Sequence, residues 1–251
     1  FVYTLSQRNN EYAREHLELM AEDYAENLNQ YKALLTSLVL DESIQSYCEA
    51  TEKTQTYQTM GAAYTSLLDV LRIQSNANFA AVTNDELGTY VYSGNISAQA
   101  GNFEESFAKD YAQSLPANAS GSIRMSFSDC YNRSGTYTLT MYFPVYSLTR
   151  MVSSNGVLVI NLNDSILERI QKKTSLASSS MYLTDQSGMI VSTKQKDRIG
   201  ELLNTEGRIT GGSGHFWNCG TLVTYQKVNG WNYYLVHEIP GMELYETVIQ
   251  M

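Results

Sequence analysis

From about Ser6 to Ser46 the chain contains neither Gly nor Pro, and helix-forming residues dominate. Within that stretch Leu17, Ala21, Tyr24, Leu28, Tyr31, Leu35 and Leu38 recur at alternating steps of four and three, an apolar stripe along one side of an α-helix. A helix of roughly 40 residues runs about 60 Å at 1.5 Å per residue. That exceeds the diameter of a small domain, so the segment is expected to be a spine for more than one module. The stripe suits either the core face of an amphipathic helix or the seam of a parallel homodimer, and both readings stay open.

The rest of the chain alternates between helical and strand patterns. Tyr57, Met60, Tyr64, Leu67 and Leu71 mark a second helix at three-four spacing. Strands are expected at Asn78 to Thr83 and Thr89 to Tyr92, joined by the turn residues Asn84 and Asp85. A helix over Phe103 to Leu115 is stopped by Pro116, and strands follow at Ser122 to Ser128, Tyr137 to Tyr146 and Gly156 to Leu162. Asn163 or Asp164 then caps a short helix, Ser165 to Lys172. Past a serine-rich break come a hairpin, Met181 to Thr184 with Met189 to Thr193, and strands at His215 to Trp217, Thr221 to Val228 and Trp231 to Ile239. Asn229-Gly230 is a tight-turn signal, Pro240 ends the sheet, and Met242 to Met251 reads as helix. One pattern therefore occurs twice: a helix, then about five antiparallel strands. The fold class is α+β. The expected division is 1–46 spine helix, 47–162 first module, 163–240 second and smaller module, and 241–251 C-terminal helix.

Composition removes several function classes. The formal charge is −9 with only 17 Lys and Arg, which argues against nucleic acid, since phosphate binding needs clustered cations. No run approaches the roughly 20 apolar residues of a membrane span. The chain opens in helical sequence without an initiator Met, so flanking membrane segments are expected to lie outside it. Cys48, Cys130 and Cys219 are an odd set without a CxxC; one Cys48–Cys130 bridge is conceivable, and isolated buried thiols are the favoured reading. Four Asn-x-Ser matches, at Asn95, Asn118, Asn132 and Asn163, are read as chance occurrences.

No catalytic signature is present. His16, His215 and His237 are isolated, and no metal or cofactor motif occurs, so neither a metal nor a cofactor is expected. Gly211-Gly212-Ser213-Gly214-His215 lacks the spacing and setting of a nucleophile elbow and reads as a loop rather than a hydrolase site. The chain is not expected to be an enzyme.

Tyr182-Leu183-Thr184-Asp185-Gln186-Ser187-Gly188-Met189-Ile190-Val191-Ser192, Ile199-Gly200, Gly230-Trp231-Asn232-Tyr233-Tyr234-Leu235-Val236 and Ile239-Pro240 resemble the membrane-proximal half of double-Cache, or tandem PAS-like, sensor domains. Gly156 to Leu162 with its following helix is similar to the joint between the two modules. The resemblance implies two PAS-like modules in the ectodomain of a bacterial membrane receptor such as a histidine kinase, placed on the extracytoplasmic side of the cell membrane. It also implies a kinase, chemoreceptor or regulator output outside this chain and a ligand in the membrane-distal module. Amino-acid-binding members carry an Arg-Trp-Tyr cluster on the pocket helix. Here Phe103 to Tyr111 lacks Arg and Trp, so the expected ligand is a small polar molecule that is not clearly an amino acid.

Strand alternation locates a candidate pocket. Ile123, Met125 and Phe127 face one way and Arg124, Ser126 and Ser128 the other; Leu139, Met141 and Phe143 oppose Thr138, Thr140 and Tyr142 in the same manner. The polar sets should share one face, roofed by the Phe103 to Leu115 helix. Arg124, Ser126, Thr140 and Tyr142 are then expected to line a pocket, with Tyr92, Tyr111 and Asp129 at its rim. Tyr182, Thr184, Trp217, Tyr225 and Trp231 could line a second cavity but read mostly as core. The alternative from another class is an interaction ectodomain that senses a partner, such as a solute-binding protein, without a small-molecule pocket.

Overall fold

The computed structural model describes residues 2–95, 103–132, 135–148, 154–163, 166–173, 178–203 and 209–243. The chain divides into two compact units, one of Asn29–Asp164 and one of Phe1–Leu28 with Ser165–Met251. Helix α1 (Val2–Val39) contributes residues to both. All seven residues of its stripe are at most 7% exposed within a single chain. The stripe is the core face of the helix, not a seam left open for a second copy. The helix also stops earlier than the residue pattern suggested. Leu40 lies in a turn, and Asp41 accepts hydrogen bonds from the Ser43 and Ile44 amides, starting a separate helix α2 (Glu42–Glu49).

In the unit of Asn29–Asp164, α2 and α3 (Lys53–Ile73) pack against a six-stranded antiparallel sheet. Its strands are β1 (Ala77–Asn84), β2 (Thr89–Gly94), the short β3 (Leu115–Pro116), β4 (Arg124–Ser128), β5 (Thr138–Tyr146) and β6 (Ser154–Asn163). Their order is β2-β1-β6-β5-β4-β3. The inward face of α3 is Thr56, Ala63, Leu67 and Val70, rotated from the expected stripe, and Tyr57 and Tyr64 are 72% and 44% exposed. Asn84 ties this side together. Its Nδ2 donates to the carbonyls of Tyr47, Cys48 and Ala50 at the end of α2, while its Oδ1 accepts from the Leu87 amide. Helix α4 (Phe103–Gln113) packs on β4; it ends before Leu115, which instead joins Pro116 in pairing with β4.

The other unit holds α5 (Ile166–Gln171) and a five-stranded antiparallel sheet of β7 (Ser180–Asp185), β8 (Ile190–Thr193), β9 (Ser213–Asn218), β10 (Thr221–Lys227) and β11 (Tyr233–Pro240). The order is β8-β7-β11-β10-β9. Asp185 folds the first hairpin by accepting from Ser187 and Met189 amides. The two-residue hairpin turn is Cys219-Gly220, both with positive φ (47° and 82°), whereas Asn229-Gly230 sits in a wider connection closed by Trp231 N–H to the Val228 carbonyl. All three cysteines are free thiols. Cys48 is buried, Cys130 half-buried and Cys219 exposed, so the expectation of buried thiols fails at Cys219. The cap expected at Asp164, the start of its helix at Ser165 and the helix beyond Glu243 lie outside the described residues. Among the described residues no helix is long and apolar enough to cross a membrane.

Candidate ligand site

The register of β4, β5 and β6 fixes which side chains share a face. Phe79, Asn161, Thr140 and Ser126 stand side by side across four strands, and the next row is Ala81, Val159, Tyr142 and Arg124. Paired residues point to the same side of a sheet, so Arg124, Ser126, Thr140 and Tyr142 share one face, which β1 and β6 complete with Phe79, Ala81, Asn161 and Val159. The polar row is stitched together: Asn161 Nδ2 donates to the Thr138 and Thr140 hydroxyls at 2.9 and 2.8 Å, and Asn78 Nδ2 donates to Asn161 Oδ1 at 2.8 Å.

Helix α4 covers this face with Phe103, Ser106 and Asp110, its buried positions at i, i+3 and i+7. The last of these brings a carboxylate into the interior. Asp110 is 0% exposed and accepts hydrogen bonds from Ser126 (2.7 Å), Ser128 and Tyr142. Tyr142 also shares a hydrogen bond with Tyr131 at 3.0 Å. Burial, with Tyr131 and Asp110 close by, pushes the Tyr142 phenol far above its ordinary pKa, so its proton is kept for the carboxylate. Burial raises Tyr131 in the same direction. Among the described residues no cation forms an ion pair with Asp110.

Around the carboxylate lies a wall of rings. Phe107 stacks on Tyr111 at 5.4 Å, Tyr111 meets Tyr142 edge-on at 5.1 Å, and Phe103 contacts Phe79, Tyr90, Tyr131 and Phe107. Arg124 closes one side. Its guanidinium lies 5.4 Å from the Tyr111 ring centroid, with Nε donating to the Ser114 hydroxyl at 2.8 Å and Nη2 to the Ser114 carbonyl. Nη1 has no hydrogen bond to any described residue.

Of the residues singled out from the sequence, Arg124, Ser126, Tyr142 and Tyr111 meet in this cluster, and Thr140 supports it from the polar row. Tyr92 is largely exposed on β2, stacked against Tyr90 and Phe103 at the outer edge. Asp129 points into solvent in the turn after β4 and is not gathered. Asp110 was missed, although Phe103, Ser106, Phe107 and Asp110 already show the inward spacing of one helix face.

In the five-stranded unit Tyr182, Thr184, Tyr225 and Trp231 are core, while Trp217 is exposed. Tyr182 donates to Glu238 at 3.0 Å and carries Arg198 over its ring at 4.8 Å. Ser213 and His215 lie on the exposed strand β9. Two polar clefts also lie in this unit. One, of about 280 Å³, is lined by Glu11, Arg14, Glu15, Ser213 and Gln226; the other, of about 430 Å³, by Ser178, Ser179, Ser180, Thr193 and Lys194. Among the described residues no group of three or more His, Cys, Asp or Glu is placed to hold a metal ion.

No family model matches the sequence, and no curated protein matches it. Solved structures do. The ligand-binding domain of the Pseudomonas fluorescens chemoreceptor CtaA in complex with L-isoleucine aligns with a TM-score of 0.62 at 12% identity, over 98% of each chain. The domain of the Pseudomonas aeruginosa amino acid chemoreceptor PctB in complex with L-Gln aligns at 0.64 and 14% identity, over 94% of this chain and 93% of that one. The extracellular domain assigned to a histidine kinase, vpHK1S-Z8, aligns at 0.64 and 13% identity, over 96% and 98%. The chain has the double-Cache, tandem PAS-like fold of sensor domains. The expectation of a ligand that is not clearly an amino acid is overturned, because neighbours of this fold hold isoleucine and glutamine. That expectation weighed the absence of Arg and Trp on α4 and overlooked the buried carboxylate on the same helix.

Proposed function

We propose that the chain is the extracytoplasmic sensor of a membrane receptor and that its six-stranded unit binds an amino acid, the ammonium group seated on Asp110. Residues 47–162 serve as the membrane-distal module and 163–240 as the membrane-proximal one. Residues 1–46 lead in from one membrane segment and 241–251 lead out toward another. The observation that carries this reading is Asp110 itself: a fully buried carboxylate, oriented by three hydroxyl donors, with no ion-paired cation among the described residues. A buried charge without a countercharge is costly, and an ammonium supplies one. Nη1 of Arg124, which has no hydrogen bond to any described residue, is the group to receive the ligand carboxylate, with Thr140 and Ser126 holding the floor. Binding favours one arrangement of α4 over the sheet, and the receptor signals by that differential affinity. The chain acts as a sensor and not as an enzyme; any kinase activity lies in another domain.

Calorimetric titration with the standard amino acids, and with the same molecules lacking the amine, tests the proposal. At least one amino acid binds, its deaminated analogue does not, and Asp110→Asn weakens binding by about 100-fold, or about 2.7 kcal/mol. Equal binding of the deaminated analogue, or an unaltered affinity in the variant, overturns it.

A further inference from the structure

The five-stranded sheet presents one face to the first part of α1, and that contact contains a histidine whose Nε2 has no hydrogen-bond partner among the described residues. Ala13 packs with Leu222 of β10 and Ile239 of β11. One turn further along α1 stands His16, and two residues back along β11 stands His237, paired across the sheet with Thr224 and Met181. His237 is 1% exposed, and its Nε2 has no hydrogen-bond partner. His16 is half-buried, stacked on Tyr12 at 6.0 Å between ring centroids, and lies close enough to act electrostatically on His237.

Among the described residues no carboxylate is a cause of the shift at either histidine. His16 is the one charged or titratable group of the described residues that acts on His237. The flanking strands bring only Thr224 and Met181 to its row, and the basic residues at α5 are turned to α1, Arg169 to Asn27 and Lys173 to Asp23. A neutral imidazole is tolerated there; an imidazolium meets an apolar wall and a second imidazole.

We propose that the contact between α1 and β11 is an acid-sensitive latch, in which protonation of His237 drives the first turns of α1 off the five-stranded sheet. Burial, helped by His16, holds the His237 pKa at about 4, below the ordinary 6.5. A folded-state pKa below the unfolded one means that the contact keeps its full strength above pH 6.5 and weakens as the pH falls toward about 4. Between pH 7.5 and pH 5 the released state gains about 30-fold in population relative to the latched one. The latch belongs to this unit alone. Its place in signalling rests on the receptor reading, but its existence does not.

The test is hydrogen exchange of the whole chain, corrected for the intrinsic pH dependence of exchange, together with NMR titration of the histidine rings. In the native chain, protection in 10–25 drops about 30-fold from pH 7.5 to pH 5, while β5 and β6 keep theirs. His237→Leu holds that protection flat across the range. A native-like pH response in His237→Leu overturns the latch. If that variant does not fold, His237→Gln and the native titration decide: an imidazole of ordinary pKa, or one that protonates while 10–25 stays protected, also overturns it. Amino acid binding is measured alongside, so failure of the latch and failure of the ligand proposal remain distinguishable.

Discussion

Replacing Tyr142 by Phe removes a single oxygen from the interior, and the structure says how much that oxygen is worth. The hydroxyl donates to Asp110 and shares a hydrogen bond with Tyr131. A hydrogen bond to a charged group contributes about 1.5–3 kcal/mol, and one between neutral groups about 1 kcal/mol. Tyr142→Phe is therefore expected to cost about 2.5–4 kcal/mol, a fall in melting temperature of about 5–16 °C for a chain of this size. Tyr131→Phe deletes a hydroxyl that is equally buried but touches only Tyr142, and should cost about 1 kcal/mol. Urea unfolding of both variants, alone and in the Asp110→Asn background, makes a double-mutant cycle. In that background the cost of Tyr142→Phe should shrink to about that of Tyr131→Phe, because no full charge remains to receive the proton. Equal costs for the two tyrosines, or no coupling to Asp110, would refute the claim that the phenol orients a buried carboxylate.

Two further substitutions probe the framework. Asn84→Ala strands three carbonyls at the end of α2 and the Leu87 amide, and should lower stability by about 3–4 kcal/mol, read by urea unfolding. Thr184→Val removes a buried hydroxyl that has no hydrogen-bond partner while keeping its shape, and should leave stability unchanged or raise it by about 1 kcal/mol, read by calorimetric melting.

Much of this architecture is legible in the residues because period decides it. The four-three stripe of α1 is buried at every position named, and strand alternation alone puts Ser126, Thr140 and Tyr142 on one face. The misreadings have local causes. The three-four spacing of Tyr57, Met60, Tyr64, Leu67 and Leu71 marks α3 as a helix but not its inward face: a hydroxyl lets Tyr face water, and Thr56, Ala63, Leu67 and Val70 are the residues buried. The break after Val39 has no Gly or Pro to announce it; Asp41 does the work through side-chain capping, a weaker signal inside a long helical pattern. Asp110 escaped notice because a charged residue in a helix is expected on the wet side. Its partners, Ser126, Ser128 and Tyr142, lie 16 to 32 positions further along the chain, a pairing that only the fold brings together.

The charge anchor and the ring wall come from different places. Ser126, Ser128 and Tyr142 hold Asp110 from β4 and β5, whereas Tyr90 and Phe107 belong to β2 and to another position of α4. In the proposed binding mode, exchanging one of those rings for a smaller or more polar side chain would reshape the space offered to a ligand's tail while its amine kept the same seat. On that proposal, a single replacement in the ring wall would change which ligand fits without removing the group that anchors it.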